Sequence, residues 1–152
     1  MGILIIITCV FFWYLIKTYN TVKPLDISVS ESESNIGIVL KKREVILDKL
    51  NDVVNSYSKY EKNIIEKMSV DMKNTKSTLF NINRLYDAYP DLKLNDTFRD
   101  LVERLYNIET EKQNVIEYYN RTIRDYNETV TAFPTIIACR LISFKEKTFF
   151  KN

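Results

Sequence analysis

Apolar positions between Asn95 and Phe133 recur at intervals of three, four and seven residues, which places them on one side of a helix. The positions in this stripe are Phe98, Leu101, Leu105, Ile108, Val115, Tyr119, Tyr126, Val130 and Phe133. The spacing predicts one long amphipathic helix from Asn95, a suitable N-cap, to Ala132, where Phe133-Pro134 ends it. Such a helix needs partner helices to cover its apolar side.

A second stripe predicts another long amphipathic helix, from about Ser30 to about Met72. Its apolar positions are Ile36, Val39, Ile46, Leu50, Val53, Tyr57, Tyr60 and Ile64. Arg43 interrupts this stripe, and Lys112 is the matching irregularity in the first one. We expect the Arg43 stem to pack while its guanidinium reaches water. The alternative is a buried ion pair with a glutamate on a facing helix, which would fix the register of the two helices.

The remaining segments predict shorter elements. Thr78–Tyr89 has apolar residues at helical spacing and is expected to form a shorter helix that Pro90 stops. Thr135–Phe150 is expected to form a short helix followed by an aromatic tail docked on the bundle. The predicted fold is therefore all-α, an antiparallel bundle with two long helices, one shorter helix and a short C-terminal helix.

The N-terminal residues predict a membrane anchor. Met1–Ile16 carries no charged side chain, and as a helix it would span about 24 Å of a hydrocarbon core roughly 30 Å thick. Trp13 and Tyr14 suit the interface, Lys17 can extend outward, and helix can continue to Val22. A cleaved signal peptide is disfavoured because the segment lacks a basic start and a small-residue cleavage site.

Pro24 is expected to end or kink the anchor helix near Val22 or Lys23. The predicted organisation is a transmembrane anchor over residues 1–22, a juxtamembrane linker over 23–35 and a helical bundle over 36–152. The polar part of the linker, Ser28–Asn35, is either a loop or the solvated start of the next helix.

Composition favours helices and excludes some partners. Two glycines and three prolines in 152 residues are too few for the tight turns of a sheet protein. A net charge of +2 without a dense basic run disfavours nucleic acid as a partner. Because the basic residues lie C-terminal to the anchor, the positive-inside rule places the bundle in the cytoplasm.

Candidate chemistry is sparse, and we predict neither a catalytic site nor a cofactor or metal. Histidine is absent, the two cysteines lie far apart, and two glycines cannot build a phosphate-binding loop. We expect the carboxylates of the predicted Asn95–Ala132 helix to form a solvated acidic face rather than a metal site; they are Glu103, Glu109, Glu111 and Glu117. The repeated Tyr-Asn dipeptide is expected to place tyrosine in the apolar stripe and asparagine against a neighbour or water, with interhelical hydrogen bonds as a modest addition.

Several short motifs occur in order along nearly the whole chain. Beside Tyr19-Asn20, Leu40-Lys41-Lys42 and Phe149-Phe150, the motif residues are Arg43, Tyr57, Glu61, Tyr89, Pro90, Asp91, Tyr119, Asn120, Tyr126, Asn127, Phe133 and Pro134. Together these motifs resemble those of the LemA family of bacterial membrane-anchored helical proteins. The resemblance implies a single-pass protein of the bacterial inner membrane with a bundle of long helices. It implies no reaction, and it makes these residues candidates for structure or interaction.

The sequence therefore predicts a membrane-anchored helical scaffold or interaction protein without catalytic activity. Its expected partners are the membrane and an unidentified protein, with self-association left open. An envelope-facing or secreted helical protein of unknown role is the first alternative, and an enzyme that uses helix-borne carboxylates is a weaker one.

Overall fold

The computed structural model describes residues 1–57, 82–87 and 90–151, and all regular structure in these ranges is helical. Helix α1 runs Gly2–Tyr57, residues 82–87 form α2, and a 3₁₀ helix runs Pro90–Leu94. Helix α3 runs Asp96–Thr131 and α4 runs Thr135–Leu141. The predicted all-α fold is confirmed. The chain divides into unit 1, Met1–Ile36 with Asn114–Asn152, and unit 2, Gly37–Gln113.

The start of α1 is long and apolar enough to cross a membrane. Its large apolar side chains are exposed, including Leu4, Phe12 and Ile16. The Lys17 ammonium lies 5.4 Å from the centre of the Trp13 ring. An exposed apolar run that ends in an aromatic and a lysine matches the predicted anchor in length and composition.

Pro24 lies inside α1. The helix continues past this residue, so the predicted helix end near Val22 or Lys23 is wrong. Residues 23–35, expected as a linker, are helical, and Val29 and Ser32 among them are buried. An interior proline costs about 3 kcal/mol because it removes a hydrogen-bond donor and crowds the preceding turn. Burial of Val22 and Val29 on either side offsets this by about 1.5–3 kcal/mol each. The predicted end near Met72 lies outside the described residues.

In unit 1, α1 and α3 pack in antiparallel directions. In addition to burial, the negative charge of Asp26 raises the pKa of Tyr126, and that of Glu33 raises the pKa of Tyr119. Residue numbers that increase along α1 are therefore matched by residue numbers that decrease along α3. The core of unit 1 consists of Val22, Val29, Ile36, Tyr119, Ile123, Tyr126, Val130 and Cys139. We call the line of three-and-four-spaced core positions along each long helix its seam.

Unit 2 has its own core. This core consists of Ile46, Leu47, Leu50, Val54, Ile82, Leu85, Phe98, Leu101 and Leu105. Two of its members, Ile82 and Leu85, come from α2, which confirms helix within the predicted Thr78–Tyr89 segment; the ends of that segment lie outside the described residues. The long helices are again antiparallel, because Lys42 and Arg43 on α1 meet Glu111 and Glu109 on α3.

The bounds of α3 follow the predicted signals closely. The side-chain Oδ1 of Asn95 accepts a hydrogen bond of 2.8 Å from the backbone N–H of Phe98, which confirms Asn95 as the N-cap. At the other end, Phe133-Pro134 separates α3 from α4 through a cis peptide bond.

The end of α4 is closed by a Schellman motif with serine in the position that usually takes glycine. The backbone N–H of Phe144 donates to the carbonyl of Cys139 over 2.9 Å, and Ser143 has a φ of 65°. The chain then runs without helix or strand from Phe144 to Lys151, and we call these residues the tail. Its docking on the bundle, described below, confirms that prediction.

We expect Ser143→Gly to raise the free energy of unfolding by about 0.5–1 kcal/mol, because glycine adopts positive φ without the steric cost that serine meets there. Urea unfolding followed by circular dichroism checks this. Ser143→Ala is the control: it keeps the Cβ atom and so should give no gain. A loss of stability in the glycine variant would contradict the argument.

Candidate functional site

A cluster of three charges is buried in unit 2 where the seams carry Arg43 and Lys112. Arg43 Nε donates to Glu109 Oε1, and Lys112 Nζ lies 2.8 Å from Glu109 Oε2. The side chains of Arg43, Glu109 and Lys112 are only 10%, 7% and 12% exposed. The expectation that the Arg43 guanidinium reaches water is therefore wrong, and the alternative of a buried ion pair is confirmed. The seam position of Arg43 directs its head group towards α3, where Glu109 lies one turn before Lys112.

Glu109 stays charged in this cluster. Burial alone would raise the pKa of its carboxyl, but hydrogen bonds from Lys112 and Arg43 outweigh burial and hold the pKa below its usual value. One carboxylate is thus shared by two cations.

The prediction of a solvated acidic face is wrong for Glu109 and right for its neighbours on α3. Glu103 is exposed. Glu111 and Glu117 form exposed ion pairs with Lys42 at 2.9 Å and with Arg121 at 3.1 Å. Glu109 differs because it lies on the α1-facing side of the helix.

Two Tyr-Asn dipeptides of α3 hold the backbone of the tail. Asn127 makes a paired contact: its Oδ1 accepts from the backbone N–H of Lys147 at 2.9 Å, and its Nδ2 donates to the Lys147 carbonyl at 2.8 Å. Asn120 Oδ1 accepts from the backbone N–H of Phe150 at 2.9 Å. We call this set, with Tyr126, the tail clamp. The predicted interhelical hydrogen bonds are replaced by bonds from these asparagines to the tail.

Further contacts hold the tail, most of them made by its side chains. Lys147 Nζ lies 2.5 Å from Asp26 Oδ1 and 4.9 Å from the centre of the Tyr126 ring. The Tyr126 hydroxyl donates to the Lys145 carbonyl over 3.0 Å. The Phe150 ring meets the Tyr119 ring edge-on, with 6.4 Å between centroids. The tail is therefore held by α1 and α3 together within unit 1.

The hydrogen bond from Lys147 lowers the pKa of Asp26, against a smaller opposing effect of burial, and Lys23 at 3.2 Å lowers it further. Burial raises the pKa of Tyr126, and the charge of Asp26 raises it further, so its hydroxyl remains a donor at neutral pH.

We expect the protein to lose stability as the pH falls below about 4, the range in which an unfolded aspartate or glutamate takes up a proton. Asp26 and Glu109 both have folded pKa values below the unfolded ones, so their contribution is present above the unfolded pKa and is lost as pH falls through the folded pKa. Urea midpoints measured from pH 6 to pH 3 check this. Asp26→Asn should flatten part of the slope; an unchanged slope would contradict the assignment.

An apolar groove lies on the surface of unit 2 between α1 and α3. Its volume is about 530 Å³. The aliphatic lining residues are Ile38, Val45, Ile46 and Ile108, and the polar ones are Lys41, Lys42, Arg104 and Asn107.

The motif residues predicted from sequence divide between several places. Tyr119, Asn120, Tyr126 and Asn127 come together under the tail, whereas Arg43 lies in unit 2. The others lie elsewhere: Tyr57 is the last residue of α1, Pro90 and Asp91 begin the 3₁₀ helix and are exposed, Phe133 and Pro134 form the break before α4, and Glu61 and Tyr89 lie outside the described residues.

The sequence did not identify the partner residues in the charge cluster or at the tail clamp. Glu109 was grouped with the solvated carboxylates, although it stands three residues before the seam lysine. The ion pair between Asp26 and Lys147 was not predicted. A signal for the contacts of Lys147 was its place in the series Phe144, Lys147 and Phe150, one residue in three, which matches the three residues per turn of a polyproline II segment with one bound side.

Comparison with known protein families shows the family to which the chain belongs. The LemA family profile matches residues 32–152, which cover most of the chain. The chain belongs to the LemA family. The region shared with the LemA family begins within α1 and contains Arg43, Glu109, the asparagines of the tail clamp and the tail, whereas Asp26 and the apolar start of α1 precede it. No curated protein matches the chain.

Proposed function

We propose that this chain is a membrane-anchored helical scaffold that holds a protein partner close to the bilayer and catalyses no reaction. One observation carries the proposal: within unit 1, the exposed apolar start of α1 continues without a break into residues that form the core with α3. The first part needs lipid to cover its side chains, and the second part is covered by the protein. A helix of this kind fixes a folded unit to a bilayer.

The proposed location is the bacterial inner membrane, with the bundle in the cytoplasm. Exposed aliphatic and aromatic side chains along Gly2–Ile16 support the anchor, because each would be costly to leave in water. Lys17 and Lys23 follow the apolar run, which supports the cytoplasmic side.

The groove of unit 2 is the surface best suited to a partner. Ile38 and Val45 are exposed along it although they are aliphatic, and Lys41, Lys42 and Arg104 border it. The partner that fits this surface is an amphipathic helix with an aliphatic stripe for the groove and acidic residues for its border.

The absence of catalysis is proposed from the chemistry of the buried carboxylate. Glu109 is held between an arginine and a lysine that lower its pKa, so it is poorly suited to accept and release a proton near neutral pH. The buried cluster serves structure rather than reaction.

Affinity purification of the full chain from detergent-solubilised membranes tests the scaffold proposal. Val45→Lys places a charge on the groove at an exposed position, and Tyr106→Lys is a matched control on an exposed position of α3. A partner that is retained by the wild type and the control, and lost with Val45→Lys, supports the proposal. Identical partners in all three chains would contradict the groove, and no partner, including a second copy, would contradict the scaffold.

Sidedness is tested separately with Tyr106→Cys, an exposed position in unit 2. A membrane-impermeant maleimide should label it only after the cells are permeabilised. Cys139 is buried and Cys9 lies within the proposed span, so neither should compete for the reagent. Labelling of Tyr106→Cys in intact cells would contradict the cytoplasmic location and favour an envelope-facing bundle.

A further inference from the structure

We propose that α4 and the turn before it form a second membrane-contact surface, which lies in the lipid headgroup layer beside the anchor. This inference rests on the proposed anchor. The surface consists of Phe133, Ile137 and Leu141, and these side chains contact the lipid bilayer. We call it the α4 face.

The α4 face is unusually exposed for its composition. Phe133, Ile137 and Leu141 are 83%, 54% and 61% exposed. Ile137 and Leu141 are four residues apart and so share one side of α4, and Phe133 stands another four residues before them. The opposite side of α4 carries the buried residues Ala138 and Cys139. Large side chains grouped in this way outside a core mark a contact surface.

The position of α4 in unit 1 indicates which surface it contacts. Cys139 belongs to the same core cluster as Val22, the first residue of that cluster after the exposed apolar run that ends at Ile16. The Phe144 ring, directly after α4, lies 5.9 Å from the Tyr19 ring. Tyr19 is only three residues beyond Ile16, a helical rise of about 4.5 Å from the end of the apolar run.

These distances place the end of α4 at the depth of the headgroups. The headgroup region adds roughly 5–8 Å to each side of the hydrocarbon core. Thr18 is already buried by the protein, so the rest of unit 1 packs against α1 from the first residues after Ile16. Interfacial helices bury an apolar side about 5–10 Å into this layer.

Charges near the α4 face suit an anionic bilayer. Arg140 and Lys145 are exposed next to it, and Lys17 is exposed at the end of the anchor. Glu146 is also exposed and opposes them with one negative charge. Basic residues close to the bilayer surface attract anionic lipids.

Tryptophan quenching in vesicles of phosphatidylcholine and phosphatidylglycerol tests the proposal. The wild-type chain contains one tryptophan, Trp13, which reports on the anchor. Trp13→Phe/Ile137→Trp reports on the α4 face, and Trp13→Phe/Tyr106→Trp is a control at a position in unit 2 that is 62% exposed. Lipids that carry a nitroxide near the top of the acyl chain are added to each sample.

We expect nitroxide lipid to quench Trp13 and the Ile137→Trp chain several-fold more strongly than the Tyr106→Trp chain. If Trp13 is quenched while the Ile137→Trp chain behaves like the control, the anchor stands and the α4 contact is overturned. If Trp13 itself escapes quenching, the proposed anchor fails, and the inference fails with it. Trp13→Phe/Leu141→Trp replaces the Ile137 variant should circular dichroism show that the latter has lost its helices.

Discussion

Glu109→Leu lowers the free energy of unfolding by about 3–5 kcal/mol, the largest change that we expect from a single polar position. The substitution removes the carboxylate that Arg43 and Lys112 share and leaves both cations buried in the seam. Losing one member of the charge cluster can therefore strongly destabilise the protein, although the intact cluster is not a large source of stability. Urea unfolding of the full chain in detergent, followed by circular dichroism, measures the change.

Replacing all three members tests whether the loss comes from the charges left without Glu109 or from the absence of the cluster itself. Arg43→Leu/Glu109→Leu/Lys112→Leu removes all three charges of the cluster, and we expect its stability to return to the wild-type value or exceed it. Glu111→Leu is the matched control, because Glu111 lies on the same helix in an exposed pair with Lys42; its effect should stay within about 0.5 kcal/mol. A single and a triple variant that lose the same stability would contradict this account.

Asn127→Ala detaches the tail around Lys147 while the core is kept. The substitution removes both backbone hydrogen bonds that Asn127 makes with Lys147, with an expected loss of about 2 kcal/mol. A loss of that size corresponds to roughly a 30-fold faster exchange of the Lys147 amide hydrogen. Hydrogen exchange followed by mass spectrometry of C-terminal peptides measures it.

Asn107→Ala is the matched control for the tail clamp. Tyr106-Asn107 is the same dipeptide on the same helix, but it lies in unit 2, whereas the tail lies in unit 1. Its substitution should leave exchange in the tail unchanged. Equal exchange in both variants would show that the tail is held by its aromatic contacts rather than by the paired amide of Asn127.

Much of α3 could be predicted from the sequence because its signals are local. The three-and-four spacing from Phe98 to Val130 defines one side of a helix, and Asn95 and Pro134 are residues whose own chemistry starts or stops a helix. Such signals need no knowledge of what the helix packs against.

Features that depend on distant residues could not be predicted in the same way. Pro24 is a local stop signal, but the burial of Val22 and Val29 against α3 outweighs it. The three-and-four spacing does continue upstream from Ile36 through Ser32, Val29, Leu25 and Val22, so the pattern held a sign of the longer helix. The prediction of a shorter helix followed from giving more weight to Pro24 than to this spacing.

The partner of Arg43 required knowledge of three-dimensional placement. Several glutamates stand on α3, and only the pairing of α1 with α3 selects Glu109 among them. The same holds for the tail clamp: Asn127 and Lys147 are 20 residues apart, with a helix break and α4 between them. The sequence predicted that the aromatic tail would dock but gave no means to identify the residues that hold it.

The ion pair between Asp26 and Lys147 joins positions that are 121 residues apart, and this separation has a consequence for biosynthesis. The first core residues of unit 1 leave the ribosome long before α3 and the tail exist. Unit 1 can therefore complete its folding only after Lys147 has been synthesised, a slow route because of its high contact order. Products of premature termination would expose Val22 and Val29 and become substrates for quality-control proteases.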